Sequence, residues 1–243
     1  MQLHVLDVKF NVNGNQDILH PVILRGYGDT LLVDCGYAGF MSLLEEAAGQ
    51  QGLSLADLTG VIISHHDIDH VGGLPELKEK YPAIRVYAPE ADEPYIAGRM
   101  KSVRLQQAEA MFPSLPEEHK PGALYFQELL KTVQPVAVDV TFTEDEAPAY
   151  WPGVQIINTP GHMPGHISLY LKESRTLIAC DAVVVENGEF EIANPPFTLD
   201  LDQAVASVKK LQTLNVARVV CYHGGVVEQH IPQKLGKLIA RYS

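Results

Sequence analysis

The chain has 243 residues, 46% of them hydrophobic and 20% charged, which suits one compact domain with a substantial core better than two small ones. Its 18 Lys and Arg stand against 30 Asp and Glu, a formal net charge of −12, so the surface repels phosphate backbones and a nucleic-acid partner is disfavoured. The N-terminus, MQLHVLDVKF, lacks a basic stretch followed by an apolar core, and no apolar run of roughly 18 residues occurs; export and membrane insertion are therefore not expected, and a soluble cytoplasmic protein is. Cys35, Cys180 and Cys221 are widely spaced and odd in number, which fits reduced buried thiols better than a disulfide framework.

In chain order, three β-rich segments come first: LHVLDVKF, HPVILRG and DTLLVDCG, bounded by turn residues and expected to form consecutive antiparallel strands. From Gly39 to Gln51, Phe40, Leu43, Leu44, Ala47 and Ala48 recur at helical spacing, with Gly52 as a stop. GVIIS at 60–64 is an apolar run of strand type, and a histidine cluster lies just beyond its end. A short helix over 72–80 and a buried strand IRVYA follow. From about 90 to 150 the pattern turns helical and irregular, with SVRLQQAEAMF and ALYFQELLKTV as helix candidates, and is expected to form an inserted cap. Strands resume with VQIINT, ISLYL and TLIAC, then VVVENGEFEI, whose Asn187-Gly188 signals a hairpin. Leu199–Leu214 is a strong helix candidate, with Asp200 and Asp202 at its start and Lys209 and Lys210 towards its end; ARVVCYHGG is the last strand expected. Two β-rich halves with trailing helices predict an α/β architecture in four layers, two packed sheets between outer helices, within one domain spanning 1–243.

SHHDIDHVGG places His65, Asp67, Asp69 and His70 within six residues at the end of an apolar strand. Imidazoles and carboxylates are ligands for zinc, iron and manganese. In an extended loop residues 65, 67 and 69 can point to one side, and His70 joins Asp69 if the chain turns there into a helix. A solvated polar loop is the bland alternative. Three later segments weigh against it, each bringing a His or Asp to a strand end: TPGHMPGH with His162, ACDAV with Asp181, and CYHGG with His223.

In this order of motifs the sequence resembles the metallo-β-lactamase superfamily, over nearly the whole chain apart from the cap. The resemblance implies a four-layer αββα sandwich and two divalent metal ions, zinc first, with iron or manganese as alternatives. It implies that His65, Asp67 and His162 bind one metal, that Asp69, His70 and His223 bind the other, and that Asp181 bridges them. Asp34, in LLVDCG, would orient a ligand by hydrogen bonding. His66 and His166 are expected to be packing or hydrogen-bonding groups rather than ligands.

One residue departs from the family pattern H-x-H-x-D-H: Asp67 stands where a second His is usual. A third carboxylate would make the cluster formally neutral and shift preference from zinc towards iron or manganese. The implied activity is hydrolysis by a hydroxide generated at the dinuclear site, with Asp181 holding the metals together and Asp67 or Asp69 passing a proton to the departing group. A small acyl substrate is expected: a lactone, ester or thioester. The alternatives are a phosphodiesterase and a diiron redox enzyme like the flavodiiron proteins, although the length leaves no room for their flavin domain. Unlike the lactonases of the family, the chain has no Tyr shortly after the bridging Asp but reads Ala182, Val183, Val184, Val185. Tyr95, Met100, Met111, Phe112, Tyr125 and Phe126 of the cap, with Trp151, are candidates for an adaptable apolar pocket, or for cap packing. The expected partner is a small-molecule substrate, with no membrane; the sequence leaves the oligomeric state open, a homodimer included.

Overall fold

The computed structural model of the chain describes residues 1–12, 14–143 and 145–242. Its strands are β1 (Gln2–Val5), β2 (Val8–Val12), β3 (Asn15–Leu19), β4 (Val22–Gly26), β5 (Asp29–Val33), β6 (Gly60–Ile62), β7 (Arg85–Pro89), β8 (Val140–Phe142), β9 (Val154–Asn158), β10 (Ile167–Leu171), β11 (Thr176–Cys180), β12 (Val184–Glu186), β13 (Glu189–Glu191), β14 (Arg218–Cys221) and β15 (Gly225–Val227). The helices are α1 (Met41–Gln50), α2 (Ile68–Val71), α3 (Leu74–Lys80), α4 (Glu93–Ile96), α5 (Val103–Met111), α6 (Lys120–Leu130), α7 (Leu201–Gln212) and α8 (Ile231–Arg241).

Among the described residues the pairing gives two large sheets, one in the order β1-β4-β5-β6-β7-β8 and one in the order β15-β14-β11-β10-β9, and two two-stranded ones, β2-β3 and β12-β13. Strands buried on both faces read as continuous apolar runs, and their alternation divides the side chains between layers. In β4 and β5, Val22, Leu24, Leu31 and Val33 face Ile156, Leu169, Ile178 and Val220 of the other sheet. Their neighbours Ile23 and Leu32 turn outward onto Leu44, Ala48, Leu74 and Leu77 of α1 and α3. On the far side, Leu177, Ala179 and Val219 pack against Ala204, Val208 and Leu211 of α7 and Leu235 and Leu238 of α8. These are the four layers expected from the sequence, helix, sheet, sheet, helix. Among the described residues, no helix is long and apolar enough to cross a membrane.

The segment from 90 to 150 corrects the expected boundary of the cap. Helix ends at Leu130, and Val140–Phe142 pairs in parallel with β7 as the edge of the first sheet. Phe142 and Trp151 are fully buried between the two sheets, and Trp151 donates its indole N–H to Asp29 at 2.8 Å. Large aromatics in the central core tie this part of the chain to the body, so the helical insertion covers only about 93–130. Its own small core joins Leu105 and Leu130 to Ile68, between Asp67 and Asp69. The cap is thereby packed onto the loop that carries the histidine cluster.

Candidate metal centre

Both sheets end at the same place, and the candidate ligands sit on the loops that leave them. His65 follows β6; Asp67 caps α2, whose single turn carries Asp69 and His70, with the His70 N–H bonded to the Asp67 carbonyl at 3.0 Å. The turn into a helix that brings His70 beside Asp69 is the one the spacing requires. Gly73 lets α2 lie against the β5–α1 loop, because a Cβ there would fall 2.3 Å from the Cys35 carbonyl oxygen. His162 is presented by the loop after β9, where Gly161 (φ +131) meets the start of α7 so closely that a Cβ would lie 2.1 Å from Ala204 N. Asp181 follows β11 and His223 follows β14, strands paired in parallel with a register shift at Cys180.

Three sets of donor atoms come together, each within 4.8 Å: His65, Asp67 and His162; Asp69, His70 and His223; and His65, His70 and Asp181. Asp181 spans the first two sets. Its Oδ2 lies 3.6 Å from His162 Nε2, while Oδ1 lies 3.4 Å from His70 Nε2 and 3.6 Å from His223 Nε2. Asp67 Oδ2 is 3.0 Å from His162 Nε2 and 3.6 Å from His65 Nε2. Asp69 Oδ2 is 3.1 Å from His223 Nε2. All seven side chains expected from the sequence to bind metal are thus in one patch, His65 and His70 fully buried and His223 at the rim.

Asp34 organises the interior side. It is fully buried and adopts a left-handed backbone (φ 61) at the end of β5, a conformation tolerated when its surroundings fix it. Its Oδ1 accepts the Ser64 N–H at 2.8 Å; its Oδ2 accepts the Ser64 hydroxyl at 2.7 Å and His70 Nδ1–H at 2.9 Å. With the Ser64 proton on Asp34, the hydroxyl oxygen faces His65 Nδ1–H at 3.0 Å. Both imidazoles therefore carry a proton on Nδ1 and direct the Nε2 lone pair into the patch. His162 is set likewise, its Nδ1 facing the Ala193 carbonyl at 3.3 Å.

Those inward atoms test whether a metal fits. His65 Nε2, His70 Nε2 and Asp181 Oδ1 are buried with no hydrogen-bond partner. Lone pairs aimed at one another and at carboxylates repel, and buried polar atoms normally find partners. A cation resolves both problems, and imidazole with carboxylate suits zinc, iron or manganese. The electrostatics agree. Burial works to raise the Asp181 carboxyl, but positive charge facing it, carried by protonated His223 and His70 when no ion is bound, outweighs burial and holds the group well below the usual carboxylate range. Burial also works to raise Asp67, and the adjoining imidazoles of His162 and His65 together with the Arg104 guanidinium overcome it.

The histidines set apart from the ligands behave as supports. His66 points away from the patch, with Nδ1 2.9 Å from Asp92 Oδ2 and its ring stacked on Tyr95 at 4.4 Å. His166 accepts the Asp181 N–H at 3.0 Å on Nε2 and faces Thr159 Oγ1 at 2.8 Å, which fixes the backbone of Asp181; burial depresses its pKa to about 3. Cys35, Cys180 and Cys221 are buried free thiols, and burial pushes the pKa of each up.

Arg104 and Tyr37 are residues that the motif order does not include. Arg104, on α5, is buried against Asp67, with Nε 3.0 Å from Oδ1 and Nη2 2.6 Å from Oδ2. The only sequence signal for it is Asp67 itself, since a carboxylate in place of His calls for a compensating base, and Arg99, Lys101 and Arg104 all qualified. Tyr37 lines the cleft above the patch with Ile68, Phe126, Val184, Val185 and Phe197; the cleft has a volume of about 690 Å³. It reaches the cleft from the β5–α1 loop rather than from the segment after Asp181. Of the aromatic and methionine candidates for an apolar pocket, Phe126 reaches the cleft, Tyr95 stacks on His66 and Trp151 lies in the central core. Phe112 sits under Lys120, and Met100, Met111 and Tyr125 are exposed.

Comparison with known proteins agrees with this geometry. The family model described as the metallo-beta-lactamase superfamily matches residues 20–223. Two curated proteins of Bacillus subtilis (strain 168) are similar along most of their length: "Probable metallo-hydrolase YflN", 27% identical over 214 residues (80% of this chain, 75% of that one), and "Probable metallo-hydrolase YybB", 23% identical over 222 residues (91% and 88%). A hydroxyacylglutathione hydrolase of Synechococcus sp. is 28% identical over 169 residues, covering 69% of this chain and 50% of its own. Among solved structures, a metallo-beta-lactamase family protein from Thermus thermophilus superposes with a TM-score of 0.76 at 23% identity, over 99% of this chain and 79% of that one. With the family model spanning every strand end that bears a candidate ligand, the chain belongs to the metallo-beta-lactamase superfamily.

Proposed function

We propose that the chain is a metal-dependent hydrolase of small acyl compounds, taking an ester, thioester or lactone, with His65, Asp67 and His162 holding one divalent ion and Asp69, His70 and His223 the other. The observation that carries this reading is Asp181. Its two carboxylate oxygens face two separate sets of inward-directed imidazoles at the floor of an open cleft. Divalent ions bound there supply Lewis acidity, which polarises an acyl carbonyl and makes water a nucleophile at neutral pH.

The chain's own residues do the remaining work. Asp69, 16% exposed along its side chain and reachable from the cleft, is placed to accept a proton from the attacking water and return it to the leaving group. Both oxygens of Asp67 are engaged by Arg104, so Asp67 is assigned to holding metal rather than to carrying a proton. Tyr37 lines the cleft and is assigned to donate its hydroxyl to the acyl oxygen; burial and the nearby Asp69 push its pKa up, which keeps the proton on. Phe126, Phe197, Val184 and Val185 give the acyl group an apolar wall.

Charge narrows the substrate. Asp17 and Glu186 line the cleft, and Arg104, the one basic side chain among its lining residues besides histidine, is committed to Asp67. A phosphodiester or nucleic acid finds no free cationic anchor among these residues, and the net charge of −12 opposes it further.

The test is a substrate panel with the metal-loaded protein and Asp181→Asn. Lactones, esters or thioesters should turn over, phosphodiesters should not, and the variant should lose on the order of 100-fold while keeping its circular-dichroism spectrum. Phosphodiesters as the preferred substrates, or an unimpaired variant, would refute the reading.

A further inference from the structure

Arg104 is the basic residue most deeply built into the metal centre. It is 4% exposed, comes from the cap helix α5, and forks onto Asp67 through two contacts, Nε to Oδ1 at 3.0 Å and Nη2 to Oδ2 at 2.6 Å. Nη1 bonds Gln107 Oε1 at 2.6 Å and the Phe197 carbonyl, and Nη2 also lies 3.3 Å from His162 Nε2. Four of its five N–H donors are taken by Asp67, Gln107 and the Phe197 carbonyl and the side chain is buried, so Arg104 is committed to the protein rather than to an anionic ligand. Its partner is the one ligand position where this chain has a carboxylate and the family pattern has an imidazole.

We propose that Asp67 and Arg104 act towards the metal as one unit, Arg104 being a positioning residue that fixes the carboxylate and restores the positive charge that Asp in place of His removes. The fork sets both carboxylate oxygens, leaving Oδ2 between His65 Nε2 and His162 Nε2. A carboxylate oxygen has two lone-pair directions, so Oδ2 accepts from Nη2 and still offers one to a cation. In formal charge, Asp67 and Arg104 together equal one neutral imidazole. The site therefore keeps the charge of an all-histidine version, and the neutral cluster expected from the sequence is corrected by a residue 37 positions further along. Lysine cannot reproduce the planar fork. The pairing predicts that positions 67 and 104 exchange together: Asp67→His alone leaves a buried guanidinium without its carboxylate, facing both an imidazole and a cation.

This inference rests on the reading that His65, Asp67 and His162 hold metal, and the experiment separates the two. Wild type, D67H and the double variant D67H/R104Q are stripped of metal, and zinc binding is measured by competition with a chromophoric chelator, alongside the thermal midpoint of each metal-free protein. Wild type should take up two ions. D67H should bind the weaker ion at least about tenfold less tightly, and D67H/R104Q should return to within about threefold of wild type. If D67H does not fold, the double variant decides: two ions bound near wild-type affinity upholds the unit, and failure to recover overturns it. D67H with wild-type affinities also overturns it, as does a double variant no better than D67H. Lowered thermal midpoints in both variants with zinc affinity unmoved would make Arg104 only an anchor for the cap, and would overturn it too. A wild type that takes up no metal sinks this inference and the metal-site reading together; a two-ion wild type with an indifferent D67H sinks this inference alone.

Discussion

Asp34 shows how one residue sets the chemistry of others. Its carboxylate accepts from Ser64 N–H, Ser64 Oγ–H and His70 Nδ1–H, and through Ser64 it governs His65 as well. Asn at that position turns an NH2 group towards one of these donors, leaving buried polar atoms opposed. Asp34→Asn should therefore weaken binding of the ion at Asp69, His70 and His223 by roughly 10- to 100-fold in a chelator competition, a typical effect of removing a group that orients a ligand. Unchanged affinity would mean that the His70 ring is held by packing alone. At this scale much was legible in the sequence. A ligand type at a strand end is a local property, and His65, Asp69, His70, His162, Asp181 and His223 lie where their motifs imply. Arg104 and Tyr37 were not legible. Their contacts with the site depend on how the cap and the β5–α1 loop fold back over the cleft, and neither residue sits in a pattern that announces it.

Among the elements, helix α7 positions the His162 loop and is itself fixed at its start. Asp200 caps it, its Oδ1 accepting the Gln203 N–H at 2.9 Å, and the Asp200 N–H donates to the Gly161 carbonyl at 2.9 Å, next to His162. Asp200→Ala should lower stability by about 1 kcal/mol in denaturant unfolding, as loss of a helix cap does; no change would mean that the Gly161 contact and the packing of Ala204 and Val208 hold the helix start without the cap. Long periodic elements such as α1 and α7, and buried runs such as β10 and β11, lie where their patterns predict. The Asn187-Gly188 hairpin is present, both residues having positive φ as such a turn requires. Other elements go beyond the expectation for physical reasons. β8 has three residues, too few for any period, and its place comes from pairing with β7. β3 reads NQDIL, polar through its first half, laddered with β2 and otherwise held by a single bridge from Leu19 to His223; part of the turn joining β2 and β3, Asn13, lies outside the described residues. α8 buries Ile231, Leu235 and Leu238 at helical spacing, a signal weakened by Pro232 and Gly236.

For the whole molecule, the centre exists because two sheets from opposite halves of the chain end side by side. His20 N–H bonds the Tyr222 carbonyl at 2.9 Å, stitching the start of β4 to the strand end that carries His223. Tyr222 in turn donates its hydroxyl to the Asp69 carbonyl at 2.7 Å. The candidate ligands from residues 65–70 and from residues 162, 181 and 223 are thus held by contacts between the halves. Metal bound there should couple the halves and raise the thermal midpoint, since a ligand that binds only the folded chain stabilises it. Stoichiometry is the direct measure of a two-ion centre. Elemental analysis of the protein, stripped and reloaded with zinc, manganese or iron and freed of excess, should give close to two ions per chain for wild type and clearly fewer for Asp181→Asn, whose carboxylate faces both sets of ligands. A wild type that hydrolyses its substrate with no bound metal would contradict the account, and so would one that binds a single ion under every loading condition.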